Sequence, residues 1–285
     1  MIDHIATLVY SQLHDLFLDL KKELKTENPC HIGQRCRKAD AKITLCEASC
    51  LMVLFQASRQ PHFKQFLDWN RPALLRLFPT LPSYDRLNKW RCKCEQMLLA
   101  FAKKGQAEPG DRLSIYLIDS SKVDPHKLKS NPKCLRGKAG FGHTHEGGYI
   151  GFKLHLVVNR KGQIVAFDIS PANRHDLDPV KGGMLDGIKG VFFADSGYVS
   201  QQVKQDLMSK DIAFIAKPTA AMEDLRWYFD KNWGKQYRQR QVVEGVFSRL
   251  KNRYGLLANS CRSATSLTVR VLASIVAYNL LQPAS

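Results

Sequence analysis

The spacing of apolar residues changes once along this chain, and that change limits the possible fold more than any other feature. Up to about residue 105, apolar side chains recur every three or four positions over 8–24, 45–55, 63–69, 72–78 and 84–101, which is the period of helices. Asn28-Pro29, Gln60-Pro61, Asn70-Arg71-Pro72 and Leu81-Pro82 separate these stretches, and Ser83 is placed to cap the last of them. From Leu113 the pattern becomes strand-like. LSIYLID, YIGFKLHLVVN and QIVAFDIS read as three strands, the last two joined by a hairpin turn at Asn159-Arg160-Lys161-Gly162. A helix near 175–185, a strand GVFFAD, a helix over 200–209, a strand DIAFIAK and two C-terminal helices follow. The order is βββαβαβα with one helix appended, which predicts an α/β fold: a mixed five-stranded sheet flanked by helices and preceded by an all-α part. The stretch KKGQAEPG at 103–110 marks the boundary, so domains are expected at 1–108 and 109–285.

The chain has 285 residues, 44% of them apolar and 24% charged, a balance that excludes wholesale disorder and leaves material for a core. Its charge is less ordinary: 43 Lys and Arg against 26 Asp and Glu give +17, divided as +6 over 1–108 and +11 over 109–285. An excess spread this way predicts a polyanionic partner, nucleic acid or an anionic membrane surface. The first 17 residues carry Asp3 and Asp15 and do not read as a secretory signal. The longest apolar run, VLASIVAYNLL at 271–281, is broken by Asn279 and falls short of the roughly 20 residues a bilayer requires. The expectation is a cytoplasmic chain with no membrane partner. Eight cysteines, at 30, 36, 46, 50, 92, 94, 134 and 261, are expected as reduced thiols; Cys30, His31, Cys36, Cys92 and Cys94 lack the spacing of a structural zinc site.

Two aspartates stand at the ends of apolar strands, Asp119 after LSIYLI and Asp195 after VFFA. Either could cap the turn or helix that comes next. Either could also hold a hard divalent cation, since such ions take oxygen ligands and a pair of them assists displacement at a phosphodiester. A third carboxylate adds weight to that second reading. Between Lys231 and Arg253 there are seven basic residues and one acid, Glu244, in a stretch that reads as one helix. At about 100° per residue, Tyr237, Arg240, Glu244 and Lys251 share one stripe about 60° wide, beside an apolar face of Val243, Val246, Phe247, Leu250 and Tyr254. An ordinary ion pair of Glu244 with its neighbours is the plainer alternative.

The combination Tyr237-x2-Arg240-x3-Glu244-x6-Lys251, preceded by the two strand-end aspartates, resembles the Tyr-Arg-Glu-Lys signature of bacterial insertion-sequence transposases of the DDE type. IDSSKV around Asp119, GYIGFKLHLVVNRKGQIVAFDISPAN, ADSGY around Asp195 and the leading stretch LFPTLPSYDRLNKW are similar to further blocks of that family, so the resemblance covers nearly the whole chain. It implies a ribonuclease H-like catalytic domain, with the first Asp on the first strand, the second after the fourth, and the Glu on a late helix. Asp119, Asp195 and Glu244 would be the metal-binding triad for two Mg²⁺ or Mn²⁺ ions. Tyr237, Arg240 and Lys251 would contact DNA near the cleaved end. The implied activity is cutting at element ends and joining of 3′-hydroxyls to target DNA, with a homodimer expected at synapsis. Ser196 stands where many relatives carry Lys, Gly245 follows the Glu, and the short interval 217–235 leaves no room for a large insertion domain.

Other basic residues fit a DNA partner or plain solvated surface. Lys153 and His155 alternate with leucines, so both point to the same sheet face, toward the active site, DNA or solvent. The run 122–138, with Lys122, Lys127 and Lys129 among six basic residues, leads into the glycine-rich GFGHTHEGG and reads as a DNA-contacting loop bearing His143 and His145. The N-terminal helices are expected to bind the element's ends or to dimerise, with 84–104 as a recognition helix presenting Arg86, Lys89, Arg91 and Lys93. A metal-dependent nuclease or resolvase of the same fold, and a catalytically silent DNA-binding protein derived from a transposase, are the alternatives.

Overall fold

The apolar run near the C-terminus is a helix buried on every side, as a helix with no polar face must be. In the computed structural model, which describes residues 2–24, 43–123, 135, 138–144, 147–256, 261 and 263–282, this helix spans Ala264–Leu280. It packs against two N-terminal helices, Leu45–Ala57 and Glu95–Lys104. Residues Met1–Gly105 and Arg249–Ala284 accordingly make one compact unit, and Gln106–Ser248 another. The change of period at 105 is thus a real boundary, but the chain returns to the first unit at its end instead of staying in the second from 109 to 285. Periodicity carries no information about such a return, because it reports local faces and not their distant partners.

The first unit is all helical: α1 (Ile2–Leu24), α2 (Leu45–Ala57), α3 (Phe63–Leu77), α4 (Tyr84–Arg91), α5 (Glu95–Lys104) and α10 (Ala264–Leu280). A capping box starts α2, where Thr44 Oγ1 accepts from Glu47 N (3.2 Å) and Thr44 N donates to Glu47 Oε2 (2.7 Å). Pro72 does not break the chain into two helices as expected; it lies inside α3, exposed, where water can satisfy the Asp68 carbonyl that Pro72 cannot reach. The expected recognition helix over 84–104 is interrupted by a 3₁₀ turn at Cys92–Cys94. Ser83 sits at the N-cap of α4 without a side-chain hydrogen bond, and Arg91 Nη2 donates to Ser266 Oγ (3.0 Å). Among the cysteines, Cys46, Cys50, Cys92, Cys94 and Cys261 are free thiols; Cys30, His31 and Cys36 lie outside the described residues.

The second unit has the ribonuclease H-like arrangement: a mixed sheet flanked by helices. Its strands are β1 (Ile115–Val123), β2 (Gly140–Thr144), β3 (Gly147–Asn159), β4 (Ile164–Pro171), β5 (Gly190–Ala194) and β6 (Ile212–Ala216). The path runs β2-β3-β1-β5-β6, with β4 paired to β3; β1 with β5 and β5 with β6 are parallel, and the pairings with β3 are antiparallel. Six strands stand where five were expected, because GFGHT, read as loop for its glycines, pairs as β2 with the start of β3. The β3–β4 hairpin turns where predicted, with Asn159 Oδ1 accepting from Lys161 N and Gln163 N (both 3.0 Å) and Gly162 at φ +78°.

One sheet face buries Tyr116, Ile118, Val157, Phe192 and Phe214 under the short helix α6 (Asp178–Lys181) and α7 (Gln201–Met208). The C-terminal part of the unit carries α8 (Glu223–Tyr237) and α9 (Gln241–Asn252). The single helix expected from Lys231 to Arg253 is interrupted by a 3₁₀ turn at Arg238–Arg240. On α9 the predicted apolar face holds, with Val243, Val246, Phe247 and Leu250 all buried.

Candidate active site

The two strand-end aspartates come together through strand register. β1 and β5 are adjacent and parallel, pairing Ile115 with Val191, Tyr116 with Phe192 and Leu117 with Phe193. Continued by two residues, the same register sets Asp119 opposite Asp195. Side chains alternate along a strand, so Asp119 shares the face of Leu117 and Asp195 that of Phe193. Phe193 meets Trp233 of α8 there, ring centroids 6.1 Å apart. Carboxyl ends of neighbouring parallel strands form the crevice where open α/β sheets bind ligands.

Arg240 brings the third carboxylate in. Its Nη2 lies 2.8 Å from Asp119 Oδ2 and 3.6 Å from Asp195 Oδ2, and its Nη1 lies 3.9 Å from Glu244 Oε1, one helical turn on. Tyr237 completes the group: it receives a hydrogen bond from Arg240 Nη1 (3.2 Å) and donates its own hydroxyl proton to Asp195 Oδ1 (3.3 Å). Lys217, just past β6, sits over the Tyr237 ring at 5.2 Å. The plainer readings of these residues are also satisfied. Asp195 caps the 3₁₀ turn Ser196–Tyr198 by accepting from Ser196 N (2.8 Å), and Asp119 Oδ1 accepts from Ser120 N (2.9 Å). Capping and convergence are therefore compatible, since each aspartate spends one oxygen on the backbone and turns the other toward Arg240.

The electrostatics follow from burial. Asp119 is 16% exposed and Arg240 13%, whereas Asp195 and Glu244 are 46% and 58% exposed. Burial pushes the Asp119 carboxyl above the ordinary carboxylate range, even though Arg240 pulls the other way. Burial works against the charge on Arg240 as well, but Asp119, Tyr237 and Asp195 outweigh it and leave the guanidinium held above its ordinary value. Burial likewise raises the Tyr237 hydroxyl.

Other predicted residues are placed differently. Lys153 pairs in register with Lys122, and His155 with Ser120, on the sheet face opposite Asp119. Both share a face as expected, but that face is not exposed there: His155 is fully buried, its Nε2 2.8 Å from Ser170 Oγ. Lys153 Nζ is 2.9 Å from Asp176 Oδ1 and donates to the Arg174 carbonyl at 3.0 Å. Lys122 belongs to β1 itself, and Lys251 to the last turn of α9. His143 is exposed on β2 against Phe141, while Lys127, Lys129 and His145 lie outside the described residues. Asp176 and Lys217 were missed from sequence. Asp176 binds both Lys153 and Ser120 (3.1 Å), the neighbour of Asp119. The only signal for either was a charge just past a strand.

A family model described as the transposase DDE domain matches residues 109–263. The chain belongs to that family. No match was found among curated proteins. The matched stretch contains every strand of the sheet together with Asp119, Asp195, Tyr237, Arg240, Glu244 and Lys251. A transposase domain implies DNA as partner, which accounts for the sign of the net charge. No helix among the described residues is long and apolar enough to cross a membrane.

DDE transposase domains generally use divalent metals, and the donor set here suits them: three carboxylates from two strand ends and a helix, all turned toward one cation. Among the described residues, however, no three such side chains close on a point as a ready-made metal cage. The guanidinium of Arg240 separates them.

Proposed function

We propose that this transposase cuts DNA at the ends of an insertion sequence and joins the freed 3′-hydroxyls to target DNA, using Asp119, Asp195 and Glu244 to hold two Mg²⁺ or Mn²⁺ ions. The observation that carries the reading is the convergence of three carboxylates, distant in sequence, on Arg240 at the carboxyl ends of two central parallel strands. When bound, the ions would supply activation of the attacking oxygen and stabilisation of the leaving one.

The chain's own part is holding and orienting. Strand register fixes Asp119 and Asp195 on a rigid sheet, and α9 brings Glu244 from the side, so the carboxylates need little rearrangement. Tyr237, Arg240, Lys251, Lys153, Lys122, Lys127 and Lys129 supply donors for phosphate oxygens, which fix the position of a duplex without reading its sequence. In cutting, water attacks phosphorus in line and the released strand keeps a 3′-hydroxyl. In joining, that hydroxyl attacks a target phosphodiester and displaces the target's own 3′-oxygen. Neither step requires a covalent protein intermediate. The helical unit reads the ends or dimerises, and two copies act together at synapsis.

The test is excision from a donor plasmid carrying the coding sequence between its native flanks, with end binding measured in parallel. Asp119→Asn, Asp195→Asn and Glu244→Gln are each expected to abolish excision and keep binding. Wild-type excision by any of them removes that residue from the triad. Products cut but never joined would instead select a nuclease or resolvase.

A further inference from the structure

We infer that Arg240 is a tethered counter-ion which keeps the three carboxylates assembled without metal and leaves them when divalent cations enter, passing to a DNA phosphate. Cation loading and DNA binding thereby favour each other. The inference rests on the triad reading above and deepens it.

Three features of the geometry support it. First, one guanidinium is shared by three carboxylates at 2.8, 3.6 and 3.9 Å, so a single positive charge faces three negative ones. The deficit of two leaves that focus attractive to further cations. A divalent ion bound to the same oxygens would lie within a few ångströms of the guanidinium, where like charges in a partly buried site repel strongly. The two occupancies exclude one another.

Second, Arg240 is poorly satisfied where it stands. Its Nε is buried and has no hydrogen-bond partner among the described residues, and only Asp119 Oδ2 and the Tyr237 hydroxyl lie within ordinary hydrogen-bond distance of its other nitrogens. A phosphate offers the planar fork a bidentate partner of the kind it lacks here.

Third, Arg240 is the last residue of the 3₁₀ turn that interrupts the helix between α8 and α9. Such turns inside helices often mark places where the backbone can adjust. The neighbouring Gln239 is held by Arg160 Nε (2.7 Å), so one side of the turn is anchored while Arg240 projects from the other toward the carboxylates. The device makes the empty site safe as well: bringing the carboxylates together without a cation would set three like charges against one another.

Coupling of this kind is reciprocal and commonly amounts to about 5- to 150-fold in affinity. The experiment uses the full chain, Mn²⁺ as probe and a short blunt duplex, with free Mn²⁺ followed by its electron paramagnetic resonance signal at fixed ionic strength and pH, after subtracting the duplex alone. For the wild type, duplex is expected to tighten Mn²⁺ binding by about five-fold or more. Arg240→Gln is expected to bind Mn²⁺ about five-fold or more tighter than wild type without DNA, and to lose most of the response to duplex. Mn²⁺ binding to the wild type that ignores duplex overturns the proposal, and this arm needs no variant to fold. Equal or weaker Mn²⁺ binding by a folded Arg240→Gln overturns it too. Asp119→Asn, Asp195→Asn and Glu244→Gln separate the levels: if none weakens Mn²⁺ binding the triad reading itself fails, and if they do while Arg240→Gln gains nothing, only the counter-ion role fails.

Discussion

His155 illustrates how a residue can be placed by sequence and still be misjudged in kind. Its alternation with leucines identified the sheet face, but not that the face is closed over it, because burial there depends on Ser170 across the hairpin and on Asp176 after it. Burial lowers the pKa of the imidazole; Asp176, Asp168 and Asp178 oppose that and Lys153 adds to it. With the folded value depressed, the unfolded chain binds a proton that the folded chain refuses. The stabilising effect is complete above the ordinary value of about 6.5 and is lost as pH falls toward the lowered one. The melting temperature is therefore expected to fall between pH 7 and 5, and His155→Gln to flatten that fall; identical pH slopes for the two proteins would show that His155 stays out of it. Asp119 and Asp195, by contrast, were legible as strand-end acids, since a charge closing an apolar strand needs either a cap or a ligand to explain it. Both explanations hold here at once.

At the scale of elements, the hydrophobic period located nearly every helix and strand, and its failures have local causes. β2 is built on glycines, which have no side chain to show a face. The 3₁₀ turn at Arg238–Arg240 is polar throughout, so a helical wheel runs across it unbroken. Register was invisible altogether, yet register is what aligns the two aspartates. One glycine maintains that alignment. Gly190 opens β5 at φ +141°, and a Cβ there would meet the Ser114 carbonyl oxygen at 2.5 Å and the Tyr116 ring at 2.9 Å. Gly190→Ala is expected to cost about 1–3 kcal/mol in chemical denaturation, since both the backbone angle and the contact with β1 are violated. At Gly234 in α8 an added Cβ would have nothing within 4 Å, so Gly234→Ala is expected to be neutral or to stabilise by up to about 1 kcal/mol. Equal effects at the two positions would mean that close packing at the start of β5 does not govern the sheet.

For the whole molecule, charge and connectivity carry the account. The +17 is spread over a helical unit and a transposase domain, which points to a long contact with DNA in place of a single basic tail. If about 6–10 phosphates are neutralised, affinity for a duplex is expected to drop about 10³- to 10⁵-fold between 50 and 200 mM salt; a drop of less than about ten-fold would mean that few of these charges touch DNA. The return of α10 to the N-terminal helices was the large-scale feature that sequence concealed, because a helix apolar on all sides names no partner. It makes the chain's two ends one unit, with the transposase sheet between them in sequence. The central claim is that Asp119, Asp195 and Glu244 together serve phosphodiester chemistry. The most direct measurement incubates the purified chain with a duplex of its native flanking sequence and Mg²⁺ or Mn²⁺ and maps the cut to the nucleotide. One defined, metal-dependent cut leaving a 3′-hydroxyl, absent in Asp119→Asn, Asp195→Asn and Glu244→Gln, is the result expected; a cut that persists in any of the three variants, or needs no divalent ion, would contradict it.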